Sequence, residues 1–526
     1  MSLTARDPMS ADVATVTPNA SVDAVLDLLV GDDPDINRVL VVDSPDRIVG
    51  IIARQDVISW PGRGSAIGDR TDSLLCADRQ ERTDMLIAGT VVADSETVVP
   101  DGAVVVEGEV IAAVGDETDL RERYPDHERR EFDIIAPGLV GGHVHSVQSL
   151  GRGIADDDAL LDWLFDAVLP MEAAMDAEAT RAAAELGYLE CLESGTTTVV
   201  DHLSVNHAAE AFEAAIDAGI RARLGKVLMD RDSPDGLLEE TDAALTESEA
   251  LIREYHGAAD GRVRYAVTPR FAVTCTEACL RGCRELADRH DGVTIHTHAS
   301  ENEDEIETVE ADTGRRNVLW LDEVGLTGPD VTLAHCVHTD EREREVLAET
   351  DTVVTHCPSS NMKLASGIAP VRDYLDRGIT VALGNDGPPC NNTLDPFTEM
   401  RQASLLGKVD ARDPTRLPAG TVLEMATEGG ARAAGFDRLG TLWEGQRADV
   451  IGITTDLTRA TPLHDPLSHL VYAAHGDDVV FTMVDGTIRY ADREHVGVDA
   501  ATVRERAARQ AERVVEEAGI ETDAPV

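Results

Sequence analysis

Two closely spaced histidines end the first apolar run in the central part of the chain. The run reads PGLVGGHVHS, which places His143 and His145 two residues apart. Side chains alternate between the two faces of an extended strand, so both imidazoles point to the same side. Two neutral imidazoles on one face can bind a single divalent ion. Because an HxH pair also occurs without a metal, it needs partners elsewhere in the chain.

Three later apolar runs end in residues of the same chemical kind. They are HTHASE, with His296, His298 and Glu301; AHCVH, with His335; and GNDG, with Asp386. Titratable side chains at the ends of apolar runs make poor core residues. Their repeated occurrence there predicts a shared chemical centre.

The order of elements explains how these residues can meet. Strand-like apolar runs alternate with longer helical stretches rich in Ala, Glu and Leu, which is typical of βα units on a parallel sheet. Residues 138–437 contain eight such runs: GLVGGHVH, TTTVVDH, RARLGKVLM, RVRYAVTP, GVTIHTHA, VTLAHC, TVVTHCP and ITVALGND. Eight units predict a (β/α)8 TIM-type barrel, an α/β fold whose active site lies at the carboxyl ends of the strands.

Two β segments flank the predicted barrel, at residues 85–137 and 438–495. MLIAGTVV, GAVVVEGEVIAAVG and FDIIAPG precede it, whereas GTLWEGQRADVIGI and DVVFTMVDGTIRY follow it. Short alternating runs separated by Gly and Asp are typical of strands. We expect both segments to form one small β-sandwich, followed by a polar C-terminal helix within residues 496–526.

Residues 1–60 have a separate α+β pattern. An extended VATVT and a helical SVDAVLDLLV precede the strands RVLVVD and RIVGIIAR. This order resembles one CBS motif (cystathionine-beta-synthase type). Because such motifs usually work in pairs, the resemblance implies pairing with a second chain in a homo-oligomer. It implies either an adenosyl nucleotide ligand or a dimerisation module without a ligand. Residues 61–84, rich in Gly, Ser and Asp, are predicted to be a linker.

The charge balance restricts the partners of the protein. The chain has 99 acidic and 46 basic residues and a formal net charge of −53, which argues against nucleic-acid binding. Only three of the basic residues are lysines. We interpret this composition as adaptation to high salt, where close carboxylates are screened from one another. An acidic docking surface for a basic partner is the alternative.

Apolar runs and cysteines bear on the location of the protein. No run approaches the roughly 18 apolar residues needed to cross a membrane. The first ten residues lack the apolar segment of a secretory signal, so we expect a cytoplasmic protein without membrane contact. Cys275, Cys279 and Cys283 stand four apart, and we interpret them as buried helix residues rather than a metal site.

Longer motifs resemble a known family over residues 85–495. They are DWLFDAVLPMEAAM, HASENEDE, AHCVH, HCPSSNMKLASGIAPV and LGNDGPPCNNTLDPFTEMR. Together they resemble the amidohydrolase superfamily, in its branch of aromatic deaminases and chlorohydrolases. Within that branch the chain looks most like 5'-methylthioadenosine/S-adenosylhomocysteine deaminases and their 5'-deoxyadenosine relatives.

The resemblance implies a mononuclear metal site. It makes His143, His145, His298 and Asp386 the ligands of one divalent ion, zinc or iron. His298 is chosen over His296 because the ligand of the family lies three residues before the glutamate. Three neutral imidazoles and one carboxylate suit either ion.

The resemblance also implies a mechanism. A bound divalent ion lowers the pKa of water toward about 7. Asp386 accepts the proton of that water, and Glu301 protonates the purine ring nitrogen beside the attacked carbon. His335 stabilises the new oxygen, while Asp386 returns a proton to the departing ammonia. The expected products are the inosine analogue of a 5'-modified adenosine and ammonia.

The substrate-binding residues point in two directions. Glu172, in LPMEAAM, stands where nucleoside deaminases bind the ribose hydroxyls. Arg270 and Phe271, in VTPRFAVTC, instead look like the base-contacting pair of guanine deaminases. The alternatives left open are guanine or 8-oxoguanine deamination, triazine dechlorination or deamination, and an adenylate-sensing protein with an inactive barrel.

Overall fold

The computed structural model describes residues 84–520 and, before them, three strands. The three strands form one sheet: β1 (Thr15–Val16), β2 (Arg38–Ser44) and β3 (Arg47–Ala53). β2 pairs in parallel with β1 and antiparallel with β3. The predicted helix of this region and all but the last residue of the predicted linker lie outside the described residues. The chain divides into two units, Met1–Glu81 and Arg82–Val526.

The second unit begins with a β segment. Its elements are β4 (Met85–Val92), β5 (Val98–Glu107), β6 (Val110–Asp116), α1 (Glu117–Arg123) and β7 (Glu128–Pro137). Alternate residues of β4 pack on opposite sides of the sheet, because side chains of a strand alternate in direction. Met85 and Ile87 face one apolar core, and Leu86 and Ala88 face another.

Nine strands and their connections follow. They are β8 (Leu139–Val144), β9 (Thr196–His202), β10 (Arg221–Gly225), β11 (Val227–Leu228), β12 (Val263–Pro269), β13 (Thr294–Ala299), β14 (Val331–His335), β15 (Val353–His356) and β16 (Val381–Leu383). All except the short β11 pair in parallel in the order of the chain, and a bridge between Val144 and Asp386 joins the last strand region to the first. Every predicted barrel strand is confirmed.

Helices surround these strands. They are α2 (Leu160–Trp163), α3 (Leu169–Ala174), α4 (Ala177–Glu193), α5 (Ala208–Ala218), α6 (Thr241–Tyr255), α7 (Ala258–Gly261), α8 (Glu277–Asp288), α9 (Glu303–Thr313), α10 (Asn317–Glu323), α11 (Glu341–Thr350), α12 (Pro358–Lys363), α13 (Val371–Asp376), α14 (Pro388–Asn391), α15 (Pro396–Ala411), α16 (Ala419–Glu424) and α17 (Gly430–Ala434). Because helices cover the outside of the barrel, β9 is buried along its whole length.

The chain returns to the first β segment after the barrel. The returning elements are β17 (Val450–Ile453), α18 (Pro466–Tyr472), β18 (Val479–Val484), β19 (Thr487–Ala491), β20 (Glu494–His495) and α19 (Ala500–Ala518). β17 pairs antiparallel with β7, so strands from both flanks follow one hydrogen-bonded path of eight strands. The predicted union of the two flanks is confirmed, and their inward residues share one core.

A buried ion cluster links the barrel to this sheet. Arg221, at the start of β10, lies 2.8 Å from Asp449 and 2.9 Å from Asp485. All three side chains are almost fully buried, so each charge depends on its partners.

Among the described helices, none is long and apolar enough to cross a membrane.

Candidate active site

The titratable residues singled out in the sequence gather at the carboxyl ends of the barrel strands. His143 and His145 lie at the end of β8, His298 lies on β13, His335 ends β14 and Asp386 follows β16. Their exposed fractions range from 0 to 8%. The barrel therefore brings together five groups that are separated by up to 243 residues along the chain.

Four of these groups have the spacing of a tetrahedral metal site. Nε2 of His145 lies 3.2 Å from Nε2 of His298, and Oδ1 of Asp386 lies 3.4 Å from Nε2 of both His143 and His145. Tetrahedral ligands with bonds of about 2.1 Å are about 3.4 Å apart. The four side chains therefore fit one divalent ion.

Hydrogen bonds on the far side of the rings support the same conclusion. Nδ1 of His145 donates to the carbonyl of His202 at 2.6 Å, and Nδ1 of His298 donates to the carbonyl of Arg270 at 2.7 Å. Each ring therefore carries its proton on Nδ1 and turns an unprotonated Nε2 inward. Nε2 of His143 is buried without a hydrogen-bond partner among the described residues.

Two further histidines pack against the ligands. Nε2 of His296 lies 3.0 Å from Nδ1 of His143, so His296 contacts a predicted ligand rather than the central space. The ring of His202, which ends β9, lies 4.7 Å from the ring of His298. Burial is the main cause that lowers the pKa of both histidines well below the usual range, so both rings are neutral.

Glu301 and Asp386 have different protonation states. Burial raises the pKa of Glu301 well above its usual range, and the nearby Asp386 carboxylate raises it further. Asp386 accepts a hydrogen bond from Ser360 at 2.6 Å and one from the amide of Gly387 at 2.8 Å, both of which stabilise its charge. A protonated acid and an ionised carboxylate therefore face the same space.

His335 is oriented by a residue of α12. Its Nδ1 donates to Oδ1 of Asn361 at 2.9 Å, and its Nε2 lies 3.5 Å from Oε2 of Glu301. Because Nδ1 donates to Asn361, the Nε2 atom of His335 is unprotonated and faces the carboxyl group of Glu301. His335 and Asp386 have positive φ values of 71° and 63°, in the left-handed region that strains non-glycine residues.

A narrow cavity lies over these groups. Its polar wall consists of His145, Arg270, His298, Glu301, His335 and Asp386. Its apolar wall consists of Leu160, Trp163, Leu164 and Phe271. A flat apolar wall beside convergent polar groups suits an aromatic ring.

Glu172 lies behind this wall. Its carboxylate accepts hydrogen bonds from Gln148 at 2.8 Å and Ser204 at 2.7 Å, and its two oxygens lie 3.3 and 3.4 Å from Nη1 of Arg270. Glu172 is 1% exposed and does not line the cavity. The ribose contact predicted from the sequence stays a prediction.

Two further histidines and three cysteines of the barrel region do not belong to this site. Nε2 of His338 bonds to the carbonyl of Ser366, and His356 lines a separate cavity between α13 and α15. Cys279 and Cys283 are buried thiols of α8, as expected, whereas Cys275 is buried but precedes that helix.

Several residues that support the site could not be predicted from the sequence. They are Gln148, Trp163, His202, Ser204, Ser360 and Asn361. Ser360 and Asn361 stand inside the recognised motif HCPSSNMK, but the motif does not show which partner each side chain binds. Gln148 follows the HxH pair by three residues, and this proximity is the only feature of the sequence that indicates its place in the site.

Comparison with known proteins identifies the family. The sequence profile of the amidohydrolase family matches residues 134–489, and that of the CBS domain matches residues 5–62. The chain belongs to the amidohydrolase family. Both resemblances predicted from motifs are thereby confirmed.

Curated relatives of this amidohydrolase carry deaminase names. A 5-methylthioadenosine/S-adenosylhomocysteine deaminase from Haloarcula marismortui is 44% identical over 387 residues, covering 73% of this chain and 88% of the relative. One from Halobacterium salinarum is 41% identical over 438 residues, covering 82% and 98%. A 5'-deoxyadenosine deaminase from Methanothermobacter thermautotrophicus is 44% identical over 362 residues, covering 69% and 83%. The acidic composition fits the two relatives from salt-loving organisms.

Solved structures share the fold of this amidohydrolase. An adenosine deaminase from Xanthomonas campestris with bound zinc gives a TM-score of 0.77 at 32% identity, covering 82% of this chain and 99% of that one. The guanine deaminase of E. coli gives 0.73 at 27% identity, covering 77% and 99%. An atrazine chlorohydrolase from Arthrobacter aurescens gives 0.75 at 26% identity, covering 81% and 100%.

Proposed function

We propose that this amidohydrolase removes the amino group of a 5'-modified adenosine by hydrolysis and releases ammonia and the inosine analogue. The observation that carries the proposal is that Glu301 and Asp386 line one cavity with His145 and His298, beside His143, in the spacing of a metal site. The relatives with deaminase names support the adenosine substrate.

The metal ligands in this proposal are His143, His145, His298 and Asp386. A divalent ion there, zinc in our proposal with iron as the alternative, would supply a water whose pKa is near 7. The zinc reported in the similar adenosine deaminase supports this choice.

Two side chains transfer protons in our proposal, and a third contacts the new oxygen. Asp386 accepts the proton of the attacking water, since its Oδ2 remains within reach of the cavity. Glu301, protonated because it is buried, donates to the ring nitrogen beside the attacked carbon. This proton neutralises the charge that develops when aromaticity is lost. His335 contacts the new oxygen, and Asp386 passes its proton to the departing amino group, which leaves as ammonia. The remaining proton of the new oxygen returns to Glu301 as the carbonyl forms, so both carboxyl groups regain their starting states.

The base lies between the apolar wall and Arg270 in this proposal. Phe271 and Trp163 offer flat surfaces for a purine, while the guanidinium of Arg270 offers donors. Loss of water from this narrow space strengthens each polar contact with the substrate.

Guanine deamination is a second candidate. It is favoured by one observation, the presence of Arg270 and Phe271 on the cavity wall, because a guanidinium can bind an oxo group of the base. Deamination or dechlorination of triazines needs the same water and acid, but none of the described residues that line the cavity favours a triazine over a purine.

A substrate panel tests the proposal. Ammonia release is measured in molar salt with adenosine, 5'-deoxyadenosine, 5'-methylthioadenosine, S-adenosylhomocysteine, guanine, 8-oxoguanine and a triazine. We expect the largest kcat/KM with one of the 5'-modified adenosines. Glu301→Gln is the matched inactive control, since it removes only the donated proton. A kcat/KM that is largest with guanine would replace the adenosine proposal by the second candidate.

The CBS domain suggests additional partners. We propose that it pairs with a second copy in a homo-oligomer and binds an adenosyl nucleotide, in a cytoplasmic protein. Seven buried cysteines of the described part are free thiols, which suits a reducing compartment. Deletion of residues 1–81 should leave kcat unchanged and alter the oligomeric state or a response to AMP or ATP. A folded but inactive truncated protein would contradict this division of roles.

A further inference from the structure

The carboxylate of Glu172 is saturated by protein donors. A carboxylate offers about four acceptor positions, two on each oxygen. Gln148 and Arg270 contact Oε1, whereas Ser204 and Arg270 contact Oε2. No position is left for the two hydroxyls of a ribose unless one of these contacts breaks.

The buried charge of Arg270 is balanced by the carboxylate of Glu172. The side chain of Arg270 is 4% exposed, and a buried guanidinium without a counter-charge is costly. Among the described residues, the ion-pair partner of Arg270 is Glu172, whose side chain is 0% exposed. The pair is neutral as a unit, so it can remain buried beside the cavity.

The partners of Glu172 are themselves fixed. Gln148 is fully buried and packs against Gly387, where a Cβ atom would lie 2.1 Å from its Oε1. The main chain of Arg270 is held by its carbonyl, which accepts from the amide and the Nδ1 of His298 at 3.2 and 2.7 Å. The main chain of Arg270 is therefore fixed relative to a predicted metal ligand, and Glu172 holds the guanidinium.

We propose that Glu172 is a positioning residue for Arg270, and that Arg270 is the specificity-determining contact with the substrate. Arg270 lines the cavity and has five N–H donors and no acceptor. It therefore selects a purine that presents an acceptor atom, a ring nitrogen or an oxygen, to that wall. This inference rests on the proposed deamination and changes the role of Glu172 from ribose contact to support.

Chemical rescue tests the link between the two residues. Arg270→Ala leaves a space beside the Glu172 carboxylate that suits a guanidinium ion. We expect it to lower kcat/KM by about 10- to 100-fold, the range for one charged hydrogen bond. Added guanidinium chloride should restore part of this loss, with equimolar potassium chloride as the control. It should restore none in the double variant Arg270→Ala/Glu172→Ala. Equal rescue with and without Glu172 would overturn the proposal.

A substrate pair tests the alternative role of Glu172. We compare 5'-deoxyadenosine with an analogue that lacks both ribose hydroxyls, by kcat/KM or by inhibition constant where the analogue is not turned over. Glu172→Gln should weaken the interaction with both compounds by the same factor. The single variant Arg270→Lys should also have a kcat/KM below that of the wild type. A loss confined to the substrate with hydroxyls would restore the direct ribose contact and refute the positioning role.

Two controls complete the experiment. Glu343→Gln breaks another glutamate–arginine pair, with Arg316 at 3.0 Å, neither member of which lines the cavity, and should leave kcat/KM unchanged. Thermal unfolding shows whether each variant is folded. If the wild type deaminates guanine and no adenosine, the proposed substrate is wrong, whereas the rescue measured with guanine still decides the role of Glu172.

Discussion

The Nε2 atoms of His145 and His298 lie 3.2 Å apart, and both rings carry their proton on the opposite nitrogen. Two lone pairs at this distance repel each other unless a cation lies between them. The protein holds them there by donating both Nδ1–H groups to main-chain carbonyls. The site is thus organised for an ion by bonds that lie outside it.

Removal of the metal should therefore abolish turnover. Neutral water is too weak a nucleophile to attack an aromatic carbon at a useful rate. We expect chelation, or His298→Ala, to reduce ammonia release to background, and added zinc or iron to restore only the chelated wild type. His338→Ala is the matched control, because this histidine bonds to the carbonyl of Ser366. Full activity of a metal-free protein would refute the proposed mechanism.

Glu301→Gln should separate acid catalysis from metal binding. The substitution keeps the shape of the side chain but removes the proton that burial retains on Glu301. We expect kcat to fall by about 10² to 10⁴, the usual contribution of a general acid. Metal content, measured by elemental analysis, should equal that of the wild type. A variant that loses its metal would identify Glu301 as a ligand instead.

Asn361 should affect turnover through His335. Its Oδ1 fixes the proton of His335 on Nδ1, so Asn361→Leu leaves that N–H without an acceptor in a buried site. We expect kcat to fall by about 10- to 100-fold, as for other residues that orient a catalytic group. Asn361→Asp keeps an acceptor and should lose less, while its charge should shift the pH profile of kcat. Equal losses in both variants would indicate a packing role.

The sequence predicted the barrel strands because buried parallel strands are continuous apolar runs and the reactive residues follow them. The sequence alone therefore predicts that His143, His298 and Asp386 lie at one end of the fold. Contacts between side chains of distant elements left no such pattern. Asn361 and Ser360 share one helix, yet one binds His335 and the other binds Asp386. The pairing of Glu172 with Arg270 joins a helix to a strand end, and only the folded chain brings them together.

The stability of the metal-free protein should depend on pH through its buried histidines. Eight histidines of the described part have pKa values that burial lowers: His143, His145, His202, His256, His296, His298, His356 and His469. In the unfolded chain each has a pKa of about 6.5. Below this pH the unfolded state binds protons that the native state does not, so stability is lost as the pH falls.

Buried carboxylates act in the opposite direction. Burial raises the pKa of Asp201 to about 6 and that of Glu305 and Glu399 to about 7, and it raises the pKa of Glu301 well above its usual range. These four groups bind protons in the native state that the unfolded state has already lost, so their contribution to stability declines as the pH rises toward 7. The eight histidines outnumber these four fully buried carboxylates, so the loss of stability at falling pH prevails.

We therefore expect the metal-free protein to lose stability between about pH 6.5 and pH 5. The measurement is the midpoint of thermal unfolding in molar potassium chloride, at intervals of pH. The metal-loaded protein is the control, because a bound ion keeps its imidazole ligands unprotonated and should move the loss to lower pH. A metal-free protein whose unfolding midpoint rises from pH 6.5 to pH 5 would show that the carboxylates dominate and that the histidine rings are not held neutral by burial.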